Sequence, residues 1–275
     1  TFGATLPQEN INDRDDRGFD ILINHKNTIG KNGFNYSVSG NIGWARQKWV
    51  SVAEIEYTDL DDIRLKQREG NYTNRLIGYL SDGMFMTQEQ IDNHTVDQDQ
   101  NGNSTIKLGD IIYKDISGPD GVPDGKIDER DRDDIGYGST PDISYGLNLM
   151  ANYKNFTVSA LFQGAGMFNM SVNGSYRGGL SNQSAPLDYM LKYSWRPDYE
   201  NPGVNVNPDA VLPRITHNGT TPNNKKYSDF WLLDNTYLRL KSLNLNYALD
   251  KSLVDKLGFN SLDVYASGTN LFSFN

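Results

Sequence analysis

The segment from residue 118 to residue 136, GPDGVPDGKIDERDRDDIG, carries seven acidic side chains among four glycines. Carboxylate oxygens on tight turns are ligands that calcium takes in proteins, and the twelve-residue EF-hand loop uses positions 1, 3, 5, 7, 9 and 12 with glycine at position 6. If Asp124 stands at position 5, the second half of that loop is matched by Gly125, the carbonyl of Lys126, Asp128 and Asp131. The spacing therefore indicates half of a calcium-binding loop.

The first half of the segment departs from the calcium pattern. Asp120 stands at position 1, but Val122 occupies position 3. Asp115 lies further upstream, so a cation could be held only if Asp115 or Asp120 reaches it through a rearranged loop. Two interpretations follow: a solvated acidic turn, or a structural calcium site with the candidate ligands Asp115, Asp120, Asp124, Lys126, Asp128 and Asp131.

A second acidic segment, DQDQNGNSTIKL, offers a weaker calcium pattern. Its positions 1, 3, 5 and 6 are filled by Asp97, Asp99, Asn101 and Gly102. Leu108 occupies position 12, where a bidentate acid is expected, so a site would need a carboxylate from elsewhere, such as Asp110. We therefore favour an Asn-Gly turn with side-chain-to-backbone hydrogen bonds. Calcium in either segment would be structural, since it would order a long loop.

The sequence contains no recognisable catalytic arrangement. Its three histidines lie far apart and it has no cysteine, which argues against a zinc site or a thiolate nucleophile. No Gly-x-Ser-x-Gly elbow precedes a helix, and no pair of carboxylates is singled out for glycoside hydrolysis. We therefore expect a protein that is not an enzyme, with a surface glycan hydrolase as the least favoured alternative.

Composition narrows the class of protein further. A net charge of -9 and a pI near 4.8 argue against nucleic acid as a partner, because phosphate binding needs an excess of Lys and Arg. The mean hydropathy of -0.63 is typical of soluble proteins, but membrane barrels reach similar values because only alternate residues need to be apolar. The first residues, TFGATLPQENIND, do not have the features of a signal peptide, so we expect any export signal to lie outside this chain.

Alternation of apolar and polar residues is the strongest structural signal. In FNYSVSGNIGWA, which begins at Phe34, apolar side chains occupy the even positions, the period of a strand with one apolar face. Similar alternation occurs in GFDILINH, ISYGLNLMANY, FTVSALFQG, YLRLKSLNLNYAL and SLDVYASGTNL. The apolar positions change parity between Leu240 and Leu243, which predicts a β-bulge there.

The connections between these strands alternate in length. Only Lys154 and Asn155 separate two strands, whereas residues 51–142 and 166–235 are long and rich in Gly, Asn, Asp and Pro. Long irregular loops are uncommon in compact soluble domains, but outer-membrane barrels combine short periplasmic turns with long extracellular loops. The sequence therefore predicts an all-β fold, an antiparallel transmembrane β-barrel segment with extracellular loops at 51–142 and 166–235. Either loop could hold an even number of extra strands.

Aromatic side chains stand near the ends of the apolar faces, among them Tyr36, Trp44 and Tyr153. Aromatic girdles at the lipid interfaces would give this distribution, and so would the general preference of aromatic residues for strands. Phe230 and Trp231 precede a predicted strand. Anchoring at the membrane interface and stacking on sugars in the lumen are the two uses that we consider for them.

Five segments resemble, in the same order, the SusC/RagA-like TonB-dependent transporters of the Bacteroidota outer membrane, in the C-terminal half of the barrel. They are NDRDDRGFDILI at 12–23, REGNYTNRLIGYLSDGMF at 68–85, LGDIIYKDISGPDGVPDGKIDERDRDDIGYGSTPDISYGLNL at 108–149, SDFWLLDNTYLRLKSLNLNYAL at 228–249 and LDVYASGTNLFSF at 262–274. Together they extend over nearly the whole chain, and five in one order are more specific than any single one.

The resemblance implies a barrel of about 22 strands with an N-terminal plug, a mouth covered by a SusD-like surface lipoprotein, and opening driven by TonB. It implies import of oligosaccharides, or alternatively of peptides, across the outer membrane. The plug and the last strands of the family are not found here, so we expect an internal piece of the barrel whose edges pair with further strands. The alternative is a soluble, calcium-stabilised β-rich surface binding module, in which the apolar faces pack against another sheet.

Overall fold

The computed structural model describes residues 10–31, 33–180, 185–216 and 221–275. Its described strands, in chain order, are β1 (Asp13–Ile29), β2 (Phe34–Ser51), β3 (Leu76–Tyr79), β4 (Ser81–Met84), β5 (Ile111–Tyr113), β6 (Arg132–Gly136), β7 (Ile143–Tyr153), β8 (Phe156–Gly166), β9 (Asn169–Ser171), β10 (Leu232–Asp234), β11 (Tyr237–Ala248) and β12 (Asp263–Phe274).

The described helices are short. They are α1 (Leu60–Lys66), α2 (Gln88–Asp92), α3 (Ser175–Gly178), α4 (Asp188–Tyr193) and α5 (Lys251–Lys256), with 3-10 turns at Glu129–Asp131, Asn223–Lys225 and Asp229–Trp231. Within the described ranges, no helix has both the length and the apolar character needed to cross a membrane.

The described residues form two compact units. The sheet unit comprises Asp15–Gln47, Ser139–Phe168 and Asp234–Asn275, and the loop unit comprises Lys48–Gly138, Asn169–Leu233 and the described part of Thr1–Arg14.

The sheet unit is built on one six-stranded sheet, in the order β1-β2-β7-β8-β11-β12. The pairs β2–β7, β7–β8, β8–β11 and β11–β12 are antiparallel. Each strand therefore lies beside the strands that precede and follow it among these six, as in a meander. The predicted all-β antiparallel fold is confirmed.

Two local features of the sheet also follow the sequence prediction. The register of β11 shifts between Leu240 and Ser242 against both of its neighbours, which confirms the bulge indicated by the change of parity. Tyr153 pairs with Phe156, so Lys154 and Asn155 form a two-residue turn. Lys154 has a φ of +53°, the backbone region that such turns require.

The apolar side chains form rows across the sheet. One row runs through Tyr153, Phe156, Tyr247 and Val264 on four neighbouring strands, and the rings of Phe156 and Tyr247 lie 4.6 Å apart. Phe156 is 59% exposed and Val264 is 61% exposed, so no second layer of the described chain covers them. A soluble module with two packed sheets would bury this row. The sheet is open at its edge strands, β1 and β12.

The loop unit contains three small two-stranded sheets, formed by β3 with β6, β4 with β5, and β9 with β10. Four of these strands lie within residues 51–142 and two within 166–235. Both long connections thus hold an even number of extra strands in the described part of the chain. Their position outside the cell stays a prediction.

Candidate functional site

The loop unit folds around a small apolar core that positions the acidic segments. Ile111, Tyr113, Ile127 and Trp231 are almost completely buried and pack together. Burial of each such side chain contributes roughly 1.5–3 kcal/mol, which offsets part of the entropy lost when long loops are ordered. Ile127 belongs to the first acidic segment, so the core holds that segment in place.

Trp231 has neither of the two uses considered from the sequence. Its side chain is 2% exposed, and its indole Nε1 donates to the carbonyl oxygen of Asn224 at 2.7 Å. Interface anchoring and sugar stacking both need an accessible ring, so both interpretations are wrong for Trp231. The sequence placed this residue beside a strand but carried no sign that the strand end belongs to a core.

A buried carboxylate joins two distant parts of the loop unit. Asp110 is completely buried, and the guanidinium of Arg214 donates to its two oxygens at 2.8 and 3.0 Å. The side-chain amide of Asn224 donates to Asp110 at 2.8 Å and accepts from the Ile111 N–H at 2.8 Å. Asp110 is therefore an ion-pair partner of Arg214, whereas the sequence suggested it only as a distant calcium ligand.

A second buried carboxylate lies in α1. Asp61 pairs with Arg64 at 2.8 Å and with Arg130 at 3.0 Å, and it accepts from the Ser117 hydroxyl at 2.6 Å. Burial acts to raise the pKa of Asp61, but the bonds from Ser117 and Arg130 and the charge of Arg64 outweigh burial and lower it. Sequence reasoning missed this network because Asp61 and Arg130 are remote in the chain and match no motif.

In the first acidic segment, carboxylates bind the backbone of their own loop. Asp131 is completely buried and accepts from the N–H groups of Ile116, Ser117 and Asp128 at 2.9, 3.2 and 2.7 Å. Burial is the largest influence on Asp131 and raises its pKa. Asp115 accepts from the N–H of Gly125 at 2.6 Å.

The remaining candidate ligands of this segment lie in turns. Asp124 accepts from the N–H of Lys126 at 3.0 Å, and Asp128 accepts from the N–H of Arg130 at 2.7 Å. Asp120 is exposed.

The second acidic segment is a tightly hydrogen-bonded turn. Asp99 accepts from the N–H groups of Asn101, Asn103 and Thr105 at 2.9, 2.9 and 2.7 Å, and from the Thr105 hydroxyl at 2.7 Å. Partial burial acts to raise the pKa of Asp99, but these hydrogen bonds outweigh it and lower the pKa to about 2. Asp97 accepts from the N–H groups of Asn101 and Gly102, both at 3.1 Å.

The two acidic segments lie side by side. The N–H of Asp97 donates to the carbonyl of Gly125 at 2.8 Å, and the N–H of Ile127 donates to the carbonyl of Asp97 at 3.0 Å. In the described part of the chain, no three Asp, Glu, His or Cys side chains form a group that could hold a metal ion. Most of the candidate carboxylates already accept backbone hydrogen bonds, and calcium binding by either segment stays a prediction.

A cavity of about 450 Å³ opens where the two acidic segments meet residues 221–226. Most of the residues that line it carry polar groups, among them Gln98, Asp99, Asp128, Asn223 and Lys226, although most of the lining surface itself is apolar. The Lys226 ammonium donates to the carbonyl of Gln98 at 3.0 Å. Such a cavity can bind a small polar ligand, because ligand sites in proteins are commonly pockets of about 300–1,000 Å³ with a few converging polar groups.

No protein-family model matches the chain. The chain is similar to the TonB-dependent receptor P3 of Formosa agariphila, with 26% identity over 99% of this chain and 25% of that protein. TonB-dependent receptors P26 and P39 of the same organism are 25% and 24% identical, over 98% and 99% of this chain and 26% and 28% of their own lengths. The chain thus spans about a quarter of the length of these relatives.

Solved structures show the same fold. The RagAB peptide importer in its open-open state aligns with a TM-score of 0.61 and 19% identity, over 96% of this chain and 26% of that one. The RagAB peptide transporter aligns with a TM-score of 0.62 and 19% identity, over 97% of this chain and 26% of that one. The chain is thus similar to TonB-dependent receptors over nearly its whole length, and its open antiparallel sheet matches part of the RagAB fold. These two findings confirm the resemblance to SusC/RagA-like TonB-dependent transporters.

Proposed function

We propose that this chain forms part of the wall and mouth of a TonB-dependent importer in the bacterial outer membrane. One observation carries the proposal: a single antiparallel meander with exposed apolar rows occurs in a chain that is similar to TonB-dependent receptors over 99% of its length. Strands with one lipid-facing row and one polar row are the way in which a barrel crosses a bilayer. The polar rows would line the lumen.

We propose oligosaccharides as the imported nutrients. The loop unit presents a cavity whose lining includes amide, carboxylate and amine groups, which are groups that hydrogen-bond sugar hydroxyls. Peptides are the second candidate, because the protein with the similar fold is described as a peptide importer.

A SusD-like surface lipoprotein and TonB are the proposed partners. In this arrangement residues 51–142 and 166–235 face outside and contact the lipoprotein and the substrate, while TonB acts on a plug domain of the importer. The proposed role is transport, and no residue of the chain is assigned covalent chemistry in it. The relatives are named as receptors rather than enzymes.

Affinity purification from the native outer membrane tests the proposal. The full-length protein, tagged at one terminus, should require detergent for extraction and should co-purify with a surface lipoprotein. Uptake by cells is then measured with labelled oligosaccharides and labelled peptides of matched mass, with and without the gene. Recovery in the soluble fraction without detergent would favour the calcium-stabilised binding module and would contradict the importer. Uptake of peptides alone would show that peptides, and not oligosaccharides, are the imported nutrients.

A further inference from the structure

A second cavity of the loop unit, of about 480 Å³, is lined mainly by residues 106–108, 195–203 and 214–215. Backbone hydrogen bonds hold these segments together. The N–H of Trp195 donates to the carbonyl of Leu212 at 2.9 Å, and the N–H of Arg214 donates to the carbonyl of Gly109 at 2.9 Å. The cavity is therefore formed in the absence of a ligand, and its volume lies in the range of about 300–1,000 Å³ that is usual for ligand sites.

Most of the cavity wall is apolar. It is formed by Ile106, Leu108, Trp195, Pro197, Pro202 and Ile215. Ile106, Leu108 and Trp195 are only 6%, 7% and 4% exposed. Such a wall suits the apolar face of a ligand, since binding pockets are lined predominantly by hydrophobic and aromatic side chains.

The charged side chains at this cavity are cations. Lys107 and Arg214 line it, and none of the described residues that line it is an Asp or a Glu. The charge of Arg214 is balanced by Asp110, which accepts from its guanidinium at 2.8 and 3.0 Å. The ammonium of Lys107 forms no ion pair or hydrogen bond with a described residue. The cavity therefore has one unbalanced positive charge beside its apolar wall.

Trp195 adds a hydrogen-bond donor without a partner. Its indole Nε1 is buried, and no described residue accepts from it. A Cβ atom at Gly109 would lie 2.7 Å from Cγ of Trp195, so close packing against the backbone fixes the indole in place. Unpaired buried donors are rare in native proteins, and one in the wall of a cavity indicates a ligand that brings an acceptor.

We propose that this cavity binds a small carboxylate whose carbon skeleton lies against the apolar wall. The carboxylate pairs with Lys107 and supplies acceptor oxygens to the donors of the wall. Its single negative charge matches the single unbalanced lysine. A phosphate group carries up to two negative charges and would leave one of them unbalanced.

Two compounds of this chemistry agree with the proposed import. One is an oligosaccharide with a uronic acid residue, and the other is a peptide with its C-terminal carboxylate. Only this choice of sources rests on the proposed function, because binding is measured without transport. Loss of binding with uptake intact, or of uptake with binding intact, would separate the failure of one proposal from that of the other.

Isothermal titration calorimetry on the intact protein in detergent tests this site, in buffer free of other carboxylates. Each acid is compared with a neutral partner of similar shape: glucuronate with glucose, and N-acetyl-leucine with N-acetyl-leucinamide. We expect at least one acid to bind roughly tenfold more tightly than its neutral partner, since hydrogen bonds to charged groups are the stronger ones. A preference for glucuronate alone assigns an acidic sugar, and one for N-acetyl-leucine alone assigns a peptide terminus. A preference for both acids shows that the carboxylate is sufficient.

Variants of Lys107 locate the preference in this cavity. Lys107 is exposed, so its substitution should leave folding unchanged. Lys107→Gln should reduce the affinity for the acid to about that for its neutral partner, whereas Lys107→Arg should retain most of the preference. Lys225→Gln is the matched control, because Lys225 is also exposed but does not line the cavity. Equal binding of both acids and their neutral partners would overturn the proposal, and so would a preference that survives Lys107→Gln.

Discussion

At the scale of single residues, buried charges hold the loop unit together. Asp110 is completely buried and accepts both hydrogen bonds of Arg214. Asp110→Ala leaves that guanidinium without its partner, a change that costs about 3–5 kcal/mol. We therefore expect amide hydrogen exchange at Ile111 and Tyr113 to become faster by on the order of 100-fold in this variant of the intact protein.

The matched control for Asp110→Ala is a partly exposed ion pair. Asp62 pairs with Lys66 at 2.6 Å in α1, and the two side chains are 38% and 57% exposed. Asp62→Ala should change stability by less than about 0.5 kcal/mol. Equal exchange rates at Ile111 in the two variants would contradict a stabilising role of the buried pair.

Asp99 makes the second acidic segment sensitive to acid. Its pKa is about 2 in the folded protein and has a reference value of 3.8. Because the folded value is the lower one, its contribution to stability is complete above the reference value and is lost as the pH falls through 2. Hydrogen-exchange protection of residues 97–105 should therefore fall between pH 4 and pH 2. Asp99→Ala should already reduce that protection at pH 7, and an unchanged value would contradict the hydrogen-bonded turn.

Hydrogen exchange of the intact protein also tests the calcium prediction for the two acidic segments. A bound ion stabilises the folded state in proportion to the logarithm of its concentration over its dissociation constant. If calcium binds, amide hydrogens of residues 97–101 or 115–131 should exchange more slowly in millimolar calcium than in chelator. Asp131→Asn should abolish any such effect in residues 115–131. Identical protection in calcium and chelator would show the prediction to be wrong.

At the scale of elements, the tight turn between β7 and β8 offers a direct test. Lys154 has a φ of +53°, a conformation that costs a residue with a side chain about 1–2 kcal/mol relative to glycine. Lys154→Gly should raise the apparent unfolding temperature of the intact protein in detergent, and Lys154→Val should lower it. Both variants lose the contact of the lysine with the Tyr153 ring, so their difference reports the backbone. Equal unfolding temperatures would contradict the assigned turn.

The elements of the sheet were predictable and those of the loop unit were not, for a physical reason. In a strand with one apolar face, apolar and polar residues alternate along the sequence. At the bulge between Leu240 and Ser242, the apolar residues change from even to odd positions. Ile111, Ile127 and Trp231 instead form a core from separate segments without a shared period. Asp110 and Arg214 are likewise far apart in the chain, so no local spacing reveals their contact.

At the scale of the whole molecule, the sheet is not complete by itself. In the described residues it ends at β1 and β12, and in the proposed barrel their outer edges would present backbone groups that lipid cannot satisfy. The relatives are about four times as long as this chain, which leaves ample sequence for further strands. Neither the substrate nor the partners could be predicted from residues of the sheet, because a barrel wall carries a general polar and apolar pattern rather than a specific binding motif.

The two faces of the sheet are predicted to lie in different surroundings. Val158 and Ser159 are neighbours in β8 and therefore project to opposite faces. Val158 pairs with Ala151 and Leu245, whereas the Ser159 hydroxyl accepts from the Asn244 amide at 3.2 Å. The apolar face should contact lipid and the polar face should line the water-filled lumen.

Single cysteines distinguish these faces, because the chain contains no cysteine of its own. In the intact protein, reconstituted in vesicles on a cysteine-free background, Val158→Cys should react with a lipid-soluble maleimide and resist a charged one. Ser159→Cys, one residue along the same strand, should react with the charged reagent. Since both positions share the same strand and depth, a difference between them reports the face alone. Equal reactivity with the charged reagent, or the reverse order, would contradict a bilayer-facing apolar row.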